Sequence, residues 1–263
     1  MSALALIPAR FASTRLPGKP LLAETGKPLI LHVVEQAMAA ASVAHVAVAT
    51  DDARIVEAVE AAGARAVMTD ADHESGSERI AEAARVLAAE GLDFDVVLNV
   101  QGDEPEISPE HLDRLVAAHR ASGAFASTLA CPFPAEALAG PGSPADPNCV
   151  KAILRPWTDG AFEALYFTRA LAPYPRDAAG VVTDPTEYRL HLGVYAFSPE
   201  SLQRFAAAPP SRLERTEKLE QLRILDMGER IAVAVAEVEA GAPGVDTPED
   251  YAAFVKRFAA RAR

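Results

Sequence analysis

Apolar and polar positions alternate in blocks along the first hundred residues, and the block lengths set the element types. Ala3–Ile7 is an unbroken apolar run of strand length, which predicts a buried strand. Pro28–Ala41 places Leu29, Val33, Val34 and Ala37 at helical spacing, and Ala44–Ala49 predicts the next strand. Asp52 can cap a helix that runs through Ala62 and ends at Gly63. Ala64–Met68 predicts a third strand, and Ser77–Ala89 a helix with Glu78 in its first turn and Gly91 beyond its end. Val96–Val100, apolar except for Asn99, predicts a fourth strand. This βαβαβαβ order implies an α/β fold: a mostly parallel mixed sheet covered by helices on both faces.

The pattern loosens afterwards. Val150–Leu154 and Ala164–Phe167, joined around Asp159-Gly160, predict a hairpin, and Ala170–Glu187, rich in Pro, Asp and Gly, predicts an irregular loop. A strand at Leu190–Phe197, a helix at Glu214–Met227, a strand at Ile231–Val238 and a terminal helix from Pro248 follow. At 263 residues with no low-complexity linker, the chain is expected to be one domain, 1–263, with a hairpin-and-loop embellishment at about 150–197.

Half of the residues are hydrophobic, which suffices for a buried core. The formal net charge of −12 repels a phosphate backbone, and cations concentrate only in the first 27 residues, so no polymeric nucleic acid is expected as a partner. Cys131 and Cys149 are too few for a metal cluster. Met1 to Pro8 has no cationic stretch and no run approaches the ~20 apolar residues of a membrane span, so a cytoplasmic protein without a membrane partner is expected.

Within that frame the first strand runs into Arg10-Phe11-Ala12-Ser13-Thr14-Arg15-Leu16-Pro17-Gly18-Lys19-Pro20, which carries three cations, a hydroxyl pair and a glycine. Such a loop is either solvated surface or a triphosphate site in which backbone N–H groups and fixed positive charge face the phosphates. Its place directly after a strand favours the second, because ligands in open α/β sheets gather at the carboxyl ends of strands. Neither the Gly-x-x-x-x-Gly-Lys-Ser/Thr cradle nor the Gly-x-Gly-x-x-Gly turn is present, which argues against a P-loop ATPase or a dinucleotide oxidoreductase.

Two acids follow strand-like or helix-like segments far apart in the chain. Asn99-Val100-Gln101-Gly102-Asp103-Glu104-Pro105 places Asp103 beyond a strand end, and Gly244-Val245-Asp246-Thr247-Pro248 places Asp246 at the mouth of the terminal helix. Taken singly, Asp103 reads as a turn residue and Asp246 as part of a helix start. Taken together, they fit Mg²⁺, a hard ion that takes one or two carboxylates and completes its shell with phosphate oxygens and water.

The loop 7–20, Gly26-Lys27-Pro28, Ala49-Thr50-Asp51, Asp72-His73-Glu74-Ser75-Gly76-Ser77-Glu78-Arg79, Asn99 to Pro105, His191-Leu192-Gly193-Val194-Tyr195, Leu219-Glu220-Gln221-Leu222-Arg223 and Val245 to Asp250 form an ordered set across nearly the whole chain. The set resembles the 3-deoxy-manno-octulosonate (Kdo) cytidylyltransferase family. The resemblance implies the nucleotide-diphospho-sugar transferase fold, transfer of CMP from CTP to the anomeric hydroxyl of Kdo with release of pyrophosphate, a role in lipopolysaccharide biosynthesis, dependence on Mg²⁺, and a homodimer joined through the middle hairpin region. Close alternatives are a cytidylyltransferase for 8-amino-Kdo or sialic acid, and a different class is a non-catalytic nucleotide-binding module. The sialic-acid enzymes carry a Gly-Ser-Lys element and an Asn after the lysine, where this chain has Ser13-Thr14-Arg15 and Lys19-Pro20.

In nucleotidyl transfer charge builds on phosphate oxygens, so positioning and electrostatics carry the catalysis. Arg10 and Lys19 are assigned to that charge, with Ser13 and Arg15 in the same nucleotide loop, and Asp103 and Asp246 to the metal, which would acidify the attacking hydroxyl without a histidine base. Small residues let backbone groups approach a cytosine ring, which singles out Ala9, Gly76 and Ser77. The resemblance adds Arg79 as a base or ribose contact, although Ser75–Arg79 also reads as an ordinary helix start capped by Ser77. It further implies a sugar pocket of Gln101, Arg169, His191, Tyr195, Glu220 and Gln221, with Arg169 suited to a carboxylate; His191 taken alone reads sooner as a satisfied sheet residue, and only the resemblance raises it.

Overall fold

The computed structural model describes residues 2–12, 15–158, 161–237 and 244–261. The chain divides into two compact units, one of residues 1–113 with 241–263 and the other of residues 114–240. Among the described residues no helix is long and apolar enough to cross a membrane.

The first unit follows the predicted alternation. Its elements are β1 (Ala3–Ala9), α1 (Leu29–Ala39), β2 (Val43–Thr50), α2 (Ala53–Ala61), β3 (Arg65–Met68), α3 (Gly76–Ala89) and β4 (Val96–Asn99), leading into α4 (Pro109–Ser122), which continues into the second unit. The strands are ordered β3-β2-β1-β4 and every pairing is parallel. Residues Ala3 to Ile7 of the central β1 are fully buried, as an unbroken apolar run requires. Asp52 caps α2 by accepting the Arg54 N–H, and Ser75 caps α3 by accepting the Glu78 N–H. The cap of α3 is therefore Ser75 and not Ser77, which lies inside the first turn.

Parallel order sends the carboxyl ends of β1, β2, β3 and β4 to one sheet edge, so the loops that begin at Arg10, Asp51, Thr69 and Val100 emerge side by side. Gly102 allows the last of these to close in. A Cβ there would sit 2.8 Å from the Pro8 carbonyl oxygen, closer than any side chain tolerates.

The second unit contains β5 (Ala126–Pro132), β6 (Lys151–Thr158), β7 (Ala161–Thr168), β8 (Arg189–Phe197), α5 (Pro199–Ala207), α6 (Arg212–Glu217), α7 (Leu222–Asp226) and β9 (Ile231–Val235). The strand order is β8-β5-β9-β7-β6, with β6 and β7 antiparallel as the predicted hairpin. The hairpin turn Asp159-Gly160 and the last expected strand residue, Val238, lie outside the described residues. The single helix expected at Glu214–Met227 is two helices: Lys218 adopts the left-handed conformation (φ 55°, ψ 46°) and its N–H closes on the Glu214 carbonyl, which ends α6.

Two elements escape the hydrophobic pattern. In α4 only Leu112, Leu115 and Val116 form a buried apolar stripe. In β5, Ser127 and Thr128 are fully buried and break the apolar run; Thr128 Oγ1 is satisfied by the Leu192 and Val194 carbonyls of β8. The chain then returns to the first unit with α8 (Pro248–Arg261).

Candidate functional site

Packing of α8 brings Asp246 to the loop after β1. Tyr251 and Phe254 of α8 share one apolar cluster with Leu16, Leu29 and Val245, so the same burial that docks the terminal helix fixes both the loop and the residue before Asp246. The Val245 N–H donates to the Asp103 carbonyl at 2.8 Å, tying the two acid-bearing segments together. Asp250 accepts from the N–H groups of Asp246 and Thr247 and from the Thr247 hydroxyl, and Thr247 Oγ1 accepts the Asp250 N–H. Capping of α8 thus falls to Thr247 and Asp250, and the Asp246 carboxylate is left to other partners.

Those partners are cations. Lys19 Nζ donates to Asp103 Oδ2 at 2.9 Å, to Asp246 Oδ1 at 3.3 Å and to the Val245 carbonyl at 2.9 Å. Arg15 lies 3.3 Å from Asp246 Oδ2. Gly18, at φ +68°, turns the chain into the short 3-10 turn that carries Lys19. Arg10 donates through Nη2 to the His73 carbonyl, while His73 itself meets Glu82 at 2.5 Å.

A cavity of about 400 Å³ opens here, and Ala9, Arg10, Arg15, Lys19, Gly76, Arg79, Gln101, Asp103 and Asp246 are among the residues lining it. Ser77, buried in the first turn of α3, is not among them. Ser13 lies outside the described residues. Gly76 also admits the end of β1, since a Cβ there would meet the Pro8 ring at 3.3 Å. Arg79 is fully buried, with Nη1 on Thr69 Oγ1 at 2.6 Å and Nη2 on Asp51 Oδ2 at 2.8 Å; its Nε is buried with no partner among the described residues. Gln101 donates to Asn99 Oδ1 at 3.1 Å.

The remaining residues of the expected sugar pocket belong to the second unit. Lys151 of β6 pairs with Thr168 of β7 on one side and Leu190 of β8 on the other, which sets Arg169 and His191 on neighbouring strand ends. Arg169 is held by Glu217: its N–H donates to Glu217 Oε2 at 3.0 Å, its Nε to the Glu217 carbonyl at 2.8 Å, and its Nη1 to the Pro147 carbonyl at 3.0 Å. The buried Lys151 ammonium donates to the carbonyls of Asp146, Cys149 and Arg169.

His191 stacks edge-on to Phe167 and tilts against Tyr195, and its Nε2 lies 3.0 Å from Thr128 Oγ1. Burial pushes the His191 pKa down to about 3, so the imidazole is neutral. Tyr195 is raised well above its ordinary range by burial and by the Glu220 carboxylate. Gln221 is buried, and its Nε2 has no partner among the described residues.

Residues 4–231 match a family described as cytidylyltransferase. The chain is 46% identical over 256 residues to the 3-deoxy-manno-octulosonate cytidylyltransferase of Syntrophobacter fumaroxidans, covering 97% of this chain and 96% of the relative. It is 42% identical to the Escherichia coli protein of the same name, over 94% of this chain and 92% of that one. The chain belongs to the 3-deoxy-manno-octulosonate cytidylyltransferase family.

Its fold agrees with that membership. A solved CMP:2-keto-3-deoxy-manno-octonic acid synthetase complexed with CTP superposes with a TM-score of 0.84 at 39% identity, covering 99% of this chain and 100% of the other. A 4-diphosphocytidyl-2C-methyl-D-erythritol synthase, at 16% identity and a TM-score of 0.61, shares the fold. The expected α/β nucleotidyltransferase fold is borne out.

In this member of the 3-deoxy-manno-octulosonate cytidylyltransferase family the sequence pattern did not single out Glu104, Lys151 or Glu217. Burial, reinforced by the Asp103 and Asp246 carboxylates and opposed by Lys19, pushes the Glu104 pKa up to about 8. Its adjacency to Asp103 was the available signal. Lys151 and Glu217 gave none, because a lysine inside a strand and a glutamate ending a helix have no motif of their own.

Proposed function

We infer that this protein transfers CMP from CTP to the anomeric hydroxyl of Kdo and releases pyrophosphate, giving CMP-Kdo for lipopolysaccharide biosynthesis. The observation that carries the reading is the convergence of Asp103 and Asp246 on Lys19 Nζ, in a small-walled cavity at the carboxyl edge of a parallel sheet, in a chain of this family.

Lys19 and Arg10 face the cavity with fixed positive charge and stabilise the charge that grows on the phosphate oxygens as the C2 hydroxyl of Kdo attacks the α-phosphorus in line. Ala9 and Gly76 allow backbone groups to approach the cytosine edge, and Arg79, immobilised by Asp51 and Thr69, stiffens the wall beside it. Arg169, fixed by Glu217, takes the sugar carboxylate, with His191, Tyr195, Glu220 and Gln221 on the hydroxyls.

Transfer of this kind uses a divalent metal, for which the residues present fit Mg²⁺. Two hard carboxylates from separate loops meet at one cation position, and among the described residues no group of three or more His, Cys, Asp or Glu could hold a metal by itself. Asp103 and Asp246 would supply the protein ligands, with phosphate oxygens and water for the rest. A bound Mg²⁺ would acidify the attacking hydroxyl and offset charge on the α-phosphate.

The same reading includes a cytoplasmic homodimer joined through residues 150–197, where Leu165, Tyr174 and Val181 are exposed apolar side chains. The test is pyrophosphate release with CTP, Mg²⁺ and a panel of sugar acids. Kdo with CTP is expected to exceed N-acetylneuraminate and UTP; equal or faster release with N-acetylneuraminate overturns the choice of sugar.

A further inference from the structure

Between two cavity-lining residues of the loop after β1, Arg10 and Ala12, stands Phe11, which is not part of the lining. Its ring meets α2 instead. The Arg54 guanidinium carbon lies 3.4 Å from the Phe11 ring centroid, well inside the ~6 Å within which a cation is drawn to an aromatic face.

The guanidinium is not a loose surface group. Arg54 Nε donates to Asp52 Oδ1 at 2.9 Å and Nη2 to Asp52 Oδ2 at 2.6 Å, a two-pronged fork on the residue whose Oδ1 also accepts the Arg54 N–H at 3.0 Å and caps α2. The Asp52 carboxyl is held below its ordinary range first by this side-chain bond. A rigid plane is therefore presented to the ring from the first turn of α2.

Phe11 is also tied to the far end of its own loop. The Gly18 N–H donates to the Phe11 carbonyl at 3.3 Å, and a Cβ at Gly18 would come within 3.3 Å of ring atom Cζ and 3.4 Å of Cε2. Gly18 immediately precedes Lys19, the residue that bridges Asp103 and Asp246. One aromatic ring thus contacts α2 through Arg54 and the chain beside Lys19 through Gly18.

We propose that Phe11 and Arg54 form a latch that fixes the nucleotide loop to α2, Phe11 tying the start of the loop to Gly18 and Arg54, acting through Phe11, anchoring it to the helix. Arg15 and Lys19 of this loop are paired with Asp246 and Asp103, groups that bound phosphates would compete with, so a loop that keeps its place needs a contact that depends on neither. A latch made before binding removes part of the ordering cost from the nucleotide's affinity. Both are positioning residues. The inference rests on the reading of this loop as the triphosphate site only for its kinetic arm.

The test uses the full chain with Arg54→Ala, Arg54→Lys, Phe11→Leu and the Phe11→Leu/Arg54→Ala double variant. Without substrates, tryptic cleavage after Arg10 and Arg15 is expected to quicken roughly two- to fivefold in Arg54→Ala, the weight of one exposed cation–π contact, with Tm lowered by no more than roughly 2–4 °C. In turnover, KM for CTP should rise by a similar factor while KM for Kdo stays at the parent value. Arg54→Lys keeps a cation over the ring but loses the Asp52 fork and falls between parent and Arg54→Ala. The double variant should be no worse than the poorer single variant, because both changes open the same contact. Parent-like cleavage and KM for CTP in Arg54→Ala overturn the latch, and additive losses in the double variant overturn action through Phe11 in favour of direct contact between Arg54 and phosphate. A parent protein that releases no pyrophosphate from CTP would defeat the functional reading alone, since cleavage still reports the latch.

Discussion

Lys19 Nζ lies 2.9 Å from Asp103 Oδ2, although 84 positions separate the two residues. The ammonium occupies the place where the Asp103 and Asp246 carboxylates converge, with the lysine side chain only 15% exposed. It holds two like charges together as well as facing the cavity.

Lys19→Ala should therefore act twice. Loss of a charge aimed at phosphate oxygens is expected to lower kcat/KM on the order of a hundredfold. Loss of the bridge leaves two facing carboxylates and should cost about 1 kcal/mol, a Tm decrease of roughly 2–4 °C in a chain of this size. Steady-state kinetics and calorimetry check the pair; near-parent turnover would return Lys19 to a surface role.

Asp103→Asn and Asp246→Asn keep size and most hydrogen bonding but remove a hard anionic ligand. Each single variant should fold, lose most activity and require more Mg²⁺. If one ion is shared, the double variant is much less impaired than the product of the single losses. Cleanly multiplicative losses, measured as kcat/KM at several Mg²⁺ concentrations, would separate the two acids.

Glu217 fixes the backbone of Arg169 and the Thr168 hydroxyl with its two carboxylate oxygens. Glu217→Ala should raise KM for Kdo about tenfold, the equivalent of about 1.4 kcal/mol, while KM for CTP stays near the parent value. Arg169→Lys, which keeps the charge but loses the planar fork, should do the same. Equal rises for both substrates would mean a general loss of structure.

His191 and His32 are both kept neutral by burial, which holds their pKa values at about 3 and about 4 against an ordinary 6.5. Lys27 adds to the lowering at His32, whose Nε2 lies 2.7 Å from Thr25 Oγ1. Between those values and 6.5 the unfolded chain binds more protons than the folded one, so stability rises with pH across that window. The contribution is full above pH 6.5 and is lost as pH falls towards 4. His191→Asn should flatten the slope of stability against pH in this range, and the His191 imidazole resonances should not titrate above about pH 5. A midpoint near 6.5 would show that the ring is open to water.

Association is checked by light scattering at micromolar concentration. A mass of twice the chain is expected, and Leu165→Glu, on the exposed side of β7, should shift it towards monomer. Monomer throughout would remove residues 150–197 from the role of an interface.

Several features were legible without coordinates because they are local. The runs Ala3–Ile7 and Val96–Val100, the helical spacing of Leu29, Val33, Val34 and Ala37, and the cap at Asp52 each report a periodicity or a turn preference that any fold must respect, and the structure reproduces them within a residue or two. The chemistry of the loop at Arg10–Lys19 was legible for the same reason, since residue type and position after a strand are properties of a short segment.

Tertiary structure decided what depends on distant residues. Asp246 reaches Lys19 because Tyr251 and Phe254 bury α8 against Leu16 and Leu29, and Thr247 with Asp250 takes over the capping role that Asp246 could have filled. The break at Lys218 depends on a left-handed backbone that a non-glycine residue adopts only when its surroundings hold it there, and Ser127 and Thr128 lie inside β5 because partners on other elements satisfy their hydroxyls. Sequence thus specified the elements and the chemistry each could offer, while the contacts that join them arose from burial and hydrogen bonding between segments whose separation along the chain carries no periodic signal.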